Sequence, residues 1–83
     1  MSGPPAKRSL TLRGHRTSVS LEDVFWQEFR RVADAEGKAL NALASEIDEM
    51  RDPEVGLASA IRVYLFERLL ADRDLVRATP GGS

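Results

Sequence analysis

Two short stretches near the N-terminus alternate apolar and polar residues, which is the pattern of a β-strand with one buried face. In residues 16–21 the apolar positions include Val19 and Leu21, which suit a hydrophobic core. The opposite side carries small hydroxyl groups and one guanidinium, from Arg16, Ser18 and Ser20. A lone strand cannot satisfy its own backbone donors and acceptors, so this stretch needs a partner strand.

Residues 8–13 alternate in the same way, but their leucines have the opposite parity to Val19. One continuous strand would turn these leucines to the polar side, so the register must break between the two stretches. A hairpin with Gly14 and His15 as its two-residue loop would place Leu10 opposite Val19 and all apolar side chains on one face. The alternative is a loose N-terminal arm that hinges at Gly14.

A helical pattern follows over residues 22–36, where apolar residues recur every three or four positions. Ser20 and Asp23 match a capping box at its start, and Gly37 is expected to end it as a left-handed residue. Trp26 lies off the apolar stripe, so we interpret it as a packing residue at the helix edge.

Two more helices are expected, over residues 39–51 and 57–71, separated by the helix breakers Pro53 and Gly56. The third helix is apolar on more than one flank, which is typical of burial against a second subunit. The expected fold class is therefore mainly α with a short β ribbon.

Eighty-three residues without cysteine indicate one small domain that has no disulfide and no thiolate metal site. We expect residues 1–6 to form a disordered lead, 7–71 the folded domain and 72–83 a frayed tail. A core this small is marginal alone, so dimerisation is the expected remedy. The single histidine, His15, gives no metal site, and no motif indicates a cofactor.

The net charge of −1 conceals an asymmetry along the chain. Residues 1–21 carry four cations and no acid, whereas the remainder carries eight cations and thirteen acids. The N-terminal part is thus the segment expected to attract phosphate. One histidine and no cysteine leave few nucleophile–base pairs, so we do not expect an enzyme.

The apolar runs of the chain are short. None approaches the roughly 20 residues needed to cross a bilayer, and the first residues lack the apolar segment of a signal peptide. We therefore expect a cytoplasmic protein that does not bind membranes, and a nucleoid-associated one if it binds DNA.

Three motifs together resemble the bacterial ribbon-helix-helix DNA-binding domains, which are MetJ/Arc-like homodimers. They are Gly-His-Arg-Thr-Ser-Val-Ser-Leu-Glu at 14–22, Phe-Trp at 25–26 and Gly-Lys-Ala-Leu-Asn-Ala-Leu at 37–43. The resemblance covers residues 7–70 and implies a homodimeric transcriptional regulator whose β ribbon reads the major groove of double-stranded DNA. It leaves the third helix unexplained, because the basic form of the family ends after its second helix.

The resemblance also implies roles for individual residues. The outward strand residues implied to contact base edges are Arg16, Ser18 and Ser20. The start of the second helix is implied to rest on a phosphate, although Ala39 cannot cap that helix. Together with the basic N-terminal segment, this gives the expected phosphate contacts: Lys7, Arg8, Arg13, His15, Lys38 and Asn41.

A ribbon shared between two copies would pair strand 16–21 antiparallel with its mate and make the folded unit an obligate homodimer. The apolar residues expected at that interface are Val19, Leu21, Phe25, Phe29, Leu43, Ile47, Ile61 and Leu65. A hairpin on each copy would widen the shared sheet to four strands. Such a sheet could not sink fully into a major groove about 12 Å wide.

A second interpretation keeps the scaffold but not the DNA. The chain would then be a protein-interaction module or an antitoxin-like component without sequence-specific DNA binding. A basic protein partner would dock on the acidic side chains of the second helix and the turn after it. These are Glu46, Asp48, Glu49, Asp52 and Glu54.

Overall fold

The computed structural model describes residues 3–77 as a two-stranded antiparallel ribbon followed by three helices. The elements are β1 (Ala6–Leu12), β2 (His15–Leu21), α1 (Asp23–Ala35), α2 (Leu40–Met50) and α3 (Leu57–Arg77). This order confirms the expected fold class. The predicted lead and tail fall in part on residues 1–2 and 78–83, which lie outside the described residues.

The ribbon is a hairpin formed by one chain, and Leu12 pairs with His15 at its closed end. The two-residue loop is Arg13-Gly14, whose φ angles of 51° and 83° are both positive, as a type I′ turn requires. The predicted loop at Gly14-His15 is therefore wrong, and the predicted register is displaced by two residues. An even displacement keeps every side chain on its predicted face, so the apolar face of the hairpin is the expected one.

Helix α1 begins without a side-chain cap and ends at a glycine. Its N-cap is Glu22, which makes no side-chain capping hydrogen bond, and Ser20 lies in β2, so the predicted capping box at Ser20 is wrong. At the other end Gly37 has a φ of 68°, and the amides of Gly37 and Lys38 donate to carbonyls of the last turn at 3.0 and 2.9 Å. This is a Schellman motif, and it confirms the predicted stop.

Helix α3 is the longest element and continues past its expected end at residue 71 to Arg77. The sequence has no Gly or Pro between the start of this helix and Pro80. Arg68 and Asp72 form an i, i+4 ion pair of 3.8 Å along its surface. The absence of a breaker and this pair both favour the longer helix.

One hydrophobic core lies between the inner face of the hairpin and the three helices. Its buried residues are Leu10, Val19, Leu21, Phe29, Val32, Ala33, Leu43, Ala44, Ile47, Ile61 and Leu65. Among the described residues no polar or charged side chain is buried. The inward-facing apolar stripes of the three helices are thus covered within one copy.

Candidate nucleic-acid interface

The outward face of the hairpin is polar and basic. It consists of three cross-strand pairs, Lys7–Ser20, Ser9–Ser18 and Thr11–Arg16. All of these side chains are exposed, whereas the leucines and valine between them pack towards the helices. The face therefore offers hydroxyl groups and two cations to solvent, with no carboxylate and no large apolar group.

The edge of β2 that faces away from β1 is open. Thr11, which lies opposite Arg16, donates its amide to the Asn41 side-chain oxygen at 3.0 Å instead of to β2. This cross-strand pair is therefore not hydrogen-bonded, so the backbone groups of Arg16 point to the free edge. The alternation of antiparallel ladders gives Ser18 and Ser20 the same direction. Within residues 3–77 no backbone group pairs with Arg16 or Ser18 at this edge.

Arg62 of α3 lies at one end of this open edge. Its guanidinium donates to the Glu22 carboxylate at 2.8 and 3.1 Å and to the Ser20 carbonyl at 3.3 Å. It also lies over the Phe25 ring, 5.6 Å from the ring centroid. The hydrogen bond from Arg62 lowers the pKa of Glu22 and so favours the charged carboxylate. These contacts place α3 next to the free edge of β2.

A family model described as the ribbon-helix-helix domain matches residues 5–69. This chain belongs to the ribbon-helix-helix family. The match spans both strands, α1 and α2, and it continues into α3, so part of the third helix belongs to the family domain. Among curated proteins and among solved structures, no significant match to this ribbon-helix-helix chain is found. No helix that the structure describes is both long and apolar enough to cross a membrane.

Arg8, a predicted phosphate contact, turns to the inner face of this ribbon-helix-helix hairpin. Its guanidinium lies 5.4 Å from the centroid of the Trp26 ring and 3.5 Å from a carboxylate oxygen of Asp23. Its Nε is shielded from solvent and has no hydrogen-bond partner among the described residues. Arg8 pairs with Val19 and shares its face with Leu10, so it packs β1 onto α1 and is turned away from the outward face.

Three more predicted phosphate contacts are engaged within the chain. Arg13 forms an ion pair with Glu49, and the Lys38 ammonium lies 2.7 Å from a carboxylate oxygen of Glu46. The Asn41 side-chain oxygen accepts the β1 amide described above. A phosphate at the start of α2 would have to compete with these partners.

Lys7 and His15 are exposed at opposite ends of the ribbon. Of the predicted phosphate contacts, these are the two whose side chains make no ion pair or hydrogen bond in the described part of the chain. The acids of α2 are partly neutralised by the same pairing, since Arg51 also lies 2.7 Å from a carboxylate oxygen of Asp48. The acidic face is thus less strongly charged than the sequence implies.

Two residues of the outward face, Ser9 and Thr11, were not among the predicted site residues. The parity of the hairpin could have identified them, because residues opposite Ser18 and Arg16 must share their face. The structure places all three predicted base contacts on this same exposed face.

The residues predicted for a dimer interface lie mainly inside one copy. Seven of the eight are core residues, and Phe25 is half-buried against that core. They are covered by their own chain and offer little surface to a second one. The large apolar side chains that stay exposed are Val24, Met50, Val55, Val63, Phe66 and Leu69.

Proposed function

We propose that this domain binds double-stranded DNA as a homodimer, with the two β2 strands at the centre of the bound face. The observation that carries the proposal is the outward face of the hairpin, which is exposed, free of acids and bears Lys7 and Arg16. A surface of this kind attracts phosphate and can donate and accept hydrogen bonds at base edges. Membership of the ribbon-helix-helix family supports the same role.

The open edge of β2 supports pairing between two copies. A two-fold axis at Ser18 lets the two Ser18 backbones exchange amide–carbonyl hydrogen bonds and sets Arg16 of one copy opposite Ser20 of the other. The contact from Arg62 to the Ser20 carbonyl is compatible with this ladder, because a carbonyl has two acceptor lone pairs. The resulting sheet has four strands in the order β1, β2, β2, β1.

The width of this sheet determines how it meets the groove. Four strands spaced about 4.8 Å apart span roughly 14 Å between the outer backbones, whereas the major groove is about 12 Å wide. The sheet therefore lies over the groove without sinking into it. Its central strands face the base edges, and its outer strands lie nearer the flanking phosphates.

Four of the outward side chains then have a role that their chemistry permits. The Arg16 guanidinium can donate two hydrogen bonds to a guanine edge, while Ser18 and Ser20 bond to several bases and discriminate weakly. Lys7, on the outer strand, neutralises a phosphate as a point charge. Binding that depends on such contacts weakens as salt rises, because counterions are released from the DNA.

The test is selection of labelled duplexes with a randomised centre, followed by titration at low and moderate salt. We expect Arg16→Ala to weaken binding at least about tenfold, as the loss of one bidentate base contact does. The matched control is Arg30→Ala, which removes an exposed arginine of α1 and should change the affinity less than about twofold.

Two results would contradict the proposal. One is a folded wild-type dimer that binds no duplex at low salt. The other is an equal loss of affinity in Arg16→Ala and Arg30→Ala, which would indicate non-specific attraction by net charge. A dimer without DNA affinity that retains a protein partner would favour the interaction-module interpretation.

A further inference from the structure

Helix α3 has a second apolar flank, separate from the one that contacts the core. Ile61 and Leu65 face inward and are 0% and 3% exposed, respectively. Val63 and Phe66 are 54% and 58% exposed. Val63 follows Ile61 by two positions and Phe66 follows Leu65 by one, so on a helix of 3.6 residues per turn both point away from the core.

The outer flank repeats with the spacing of a helix–helix contact. We call outer seam the set Ser59, Val63, Phe66 and Leu70. Successive members are separated by four, three and four residues, which is the a/d spacing that lets one helix insert side chains into another. Leu69 borders the seam and is 55% exposed. A stripe with this period on the solvent side of a long helix fits another helix better than a flat surface or a small ligand.

The position of α3 indicates that the helix packed on its outer seam is α3 of a second copy. Arg62, one residue before Val63, contacts the Ser20 carbonyl at 3.3 Å, so α3 lies beside the free edge of β2. A second copy that adds its strand to that edge brings its own α3 to the same side of the first copy. The same two-fold axis then relates the two outer seams on that side of the joined sheet.

A paired strand edge also needs apolar support. The ladder between two copies must offset the cost of association, and the outward residues at the β2 edge are polar. A specific interface usually covers about 800 Å² on each partner and has an apolar centre. The predicted interface residues are buried within one copy, whereas Val63 and Phe66 of the outer seam are exposed on the helix beside the open edge and can supply this centre.

We propose that the outer seam of α3 packs against the outer seam of a second copy and forms the apolar part of the homodimer interface. This inference rests on the homodimer of the proposed function and assigns to α3 the surface that holds it. It also gives a role to the helix that follows the basic ribbon-helix-helix elements.

The test is sedimentation equilibrium of the full chain, with circular dichroism as a measure of folding. We expect Phe66→Glu to raise the dimer dissociation constant at least about tenfold while the helical signal is kept, because an exposed residue is replaced. The matched control is Ala71→Glu, which adds the same charge to an exposed position of the same helix off the seam and should change the constant less than about twofold.

A gain-of-function variant covers the case in which Phe66→Glu fails to fold. Ser59 is the polar member of the outer seam and is exposed, so Ser59→Leu should lower the dissociation constant about tenfold. Unchanged dimerisation in Ser59→Leu, or in a folded Phe66→Glu, would overturn the proposal. A wild-type chain that is still monomeric at about 100 µM would also overturn it, because a dimer that weak is not a specific association.

The seam and the DNA proposal fail separately. If the outer-seam variants change the dimer but the wild type binds no duplex, the DNA-binding proposal fails and the seam assignment remains. If the variants leave the dimer unchanged and wild type binds DNA through Arg16, the seam assignment fails and the DNA-binding proposal remains. A dimer that dissociates when a foreign protein binds α3 would assign the seam to that partner instead.

Discussion

Arg13 occupies a backbone conformation that its side chain does not favour. Its φ of 51° is in the left-handed region, where a residue with a Cβ atom is destabilised by about 1–2 kcal/mol unless it is Asn or Asp. The type I′ loop requires this conformation at both positions, and Gly14 meets the requirement at the second one. The ion pair between Arg13 and Glu49 is between half-exposed side chains, so it offsets little of this strain.

We therefore expect Arg13→Asn to stabilise the domain by roughly 0.5 kcal/mol, because asparagine adopts the left-handed conformation with less strain. The measurement is thermal unfolding followed by circular dichroism, where a gain of that size raises Tm by roughly 2–4 °C in a domain this small. A lower Tm would show that the contact with Glu49 outweighs the strain, and Glu49→Gln would then have to reproduce that loss.

Gly14→Ala should have the opposite effect. Gly14 has a φ of 83°, and an added Cβ would meet no heavy atom within 4 Å, so the cost is purely conformational. We expect a loss of about 1 kcal/mol in the free energy of unfolding. Equal stability of Gly14→Ala and the wild type in the same thermal experiment would contradict the I′ assignment of this loop.

At the residue scale, the sequence predicted which side chains lie outward but not where the turn falls. Alternation fixes parity only, and a displacement by two residues satisfies it equally well. The decisive information is the tolerance of Arg13 for positive φ, which no periodicity reveals. The inward position of Arg8 follows from the parity of Leu10, but the excess of cations in the N-terminal segment obscured it.

At the scale of elements, α3 is held against the end of α1 by a group of polar contacts around Glu36. Its carboxylate accepts a hydrogen bond from the Tyr64 hydroxyl at 2.9 Å and forms ion pairs with Arg68 and, at 3.3 Å, with Lys38. The Glu36 side chain is 17% exposed, so water screens these contacts only in part. The hydrogen bond from Tyr64, with those from Lys38 and Arg68, lowers the pKa of Glu36.

Because the pKa of Glu36 is lower in the folded chain than its ordinary 4.5, its charged form stabilises the fold at neutral pH. That contribution is complete above pH 4.5 and is lost as pH falls through the lowered folded value. We expect Glu36→Gln to cost about 1 kcal/mol at pH 7 and to approach the wild type in acid, when urea unfolding is measured at both pH values.

The matched control for this experiment is Glu54→Gln. Glu54 is exposed, and its carboxylate forms no ion pair in the described part of the chain. Its removal should leave stability unchanged at both pH values. A Glu36→Gln variant whose deficit is the same at pH 7 and in acid would show that shape, rather than charge, holds the two helices together.

The order of a ribbon and three helices could be predicted because each stripe repeats over three turns or more, and Gly37 is a strong stop signal. The sequence did not show in the same way which of the two apolar flanks of α3 faces the core. A helix that is apolar on opposite sides gives no sign in the sequence of which side packs inside its own chain. Only the packing of Ile61 and Leu65 on the core distinguishes the inner flank from the outer seam.

At the scale of the whole molecule, the core closes within a single copy. The sequence-based argument for an obligate dimer assumed that a core this small is marginal in one copy. The hairpin supplies the missing cover, since Leu10, Val19 and Leu21 are buried against the helices. In the proposed homodimer, a second copy would add apolar contact outside that core.

We therefore expect the chain to remain helical when the dimer dissociates. The measurement is circular dichroism and sedimentation over a dilution series from the micromolar to the nanomolar range. The expected result is a change from two copies to one with little loss of helical signal, and a Tm that rises with concentration because only the folded chain associates. Loss of the helical signal in step with dissociation would contradict this and restore the obligate dimer.

The contact between Arg8 and Trp26 has a practical consequence. Trp26 is the only tryptophan of the chain. The Arg8 guanidinium of β1 lies over its ring, and the ring makes a T-shaped contact with Phe29 of the core at a centroid distance of 6.1 Å. Indole emission responds to nearby charge and to water. The intrinsic fluorescence of the unlabelled protein is therefore an optical signal for the detachment of β1 from α1, and it can be followed separately from loss of the helices.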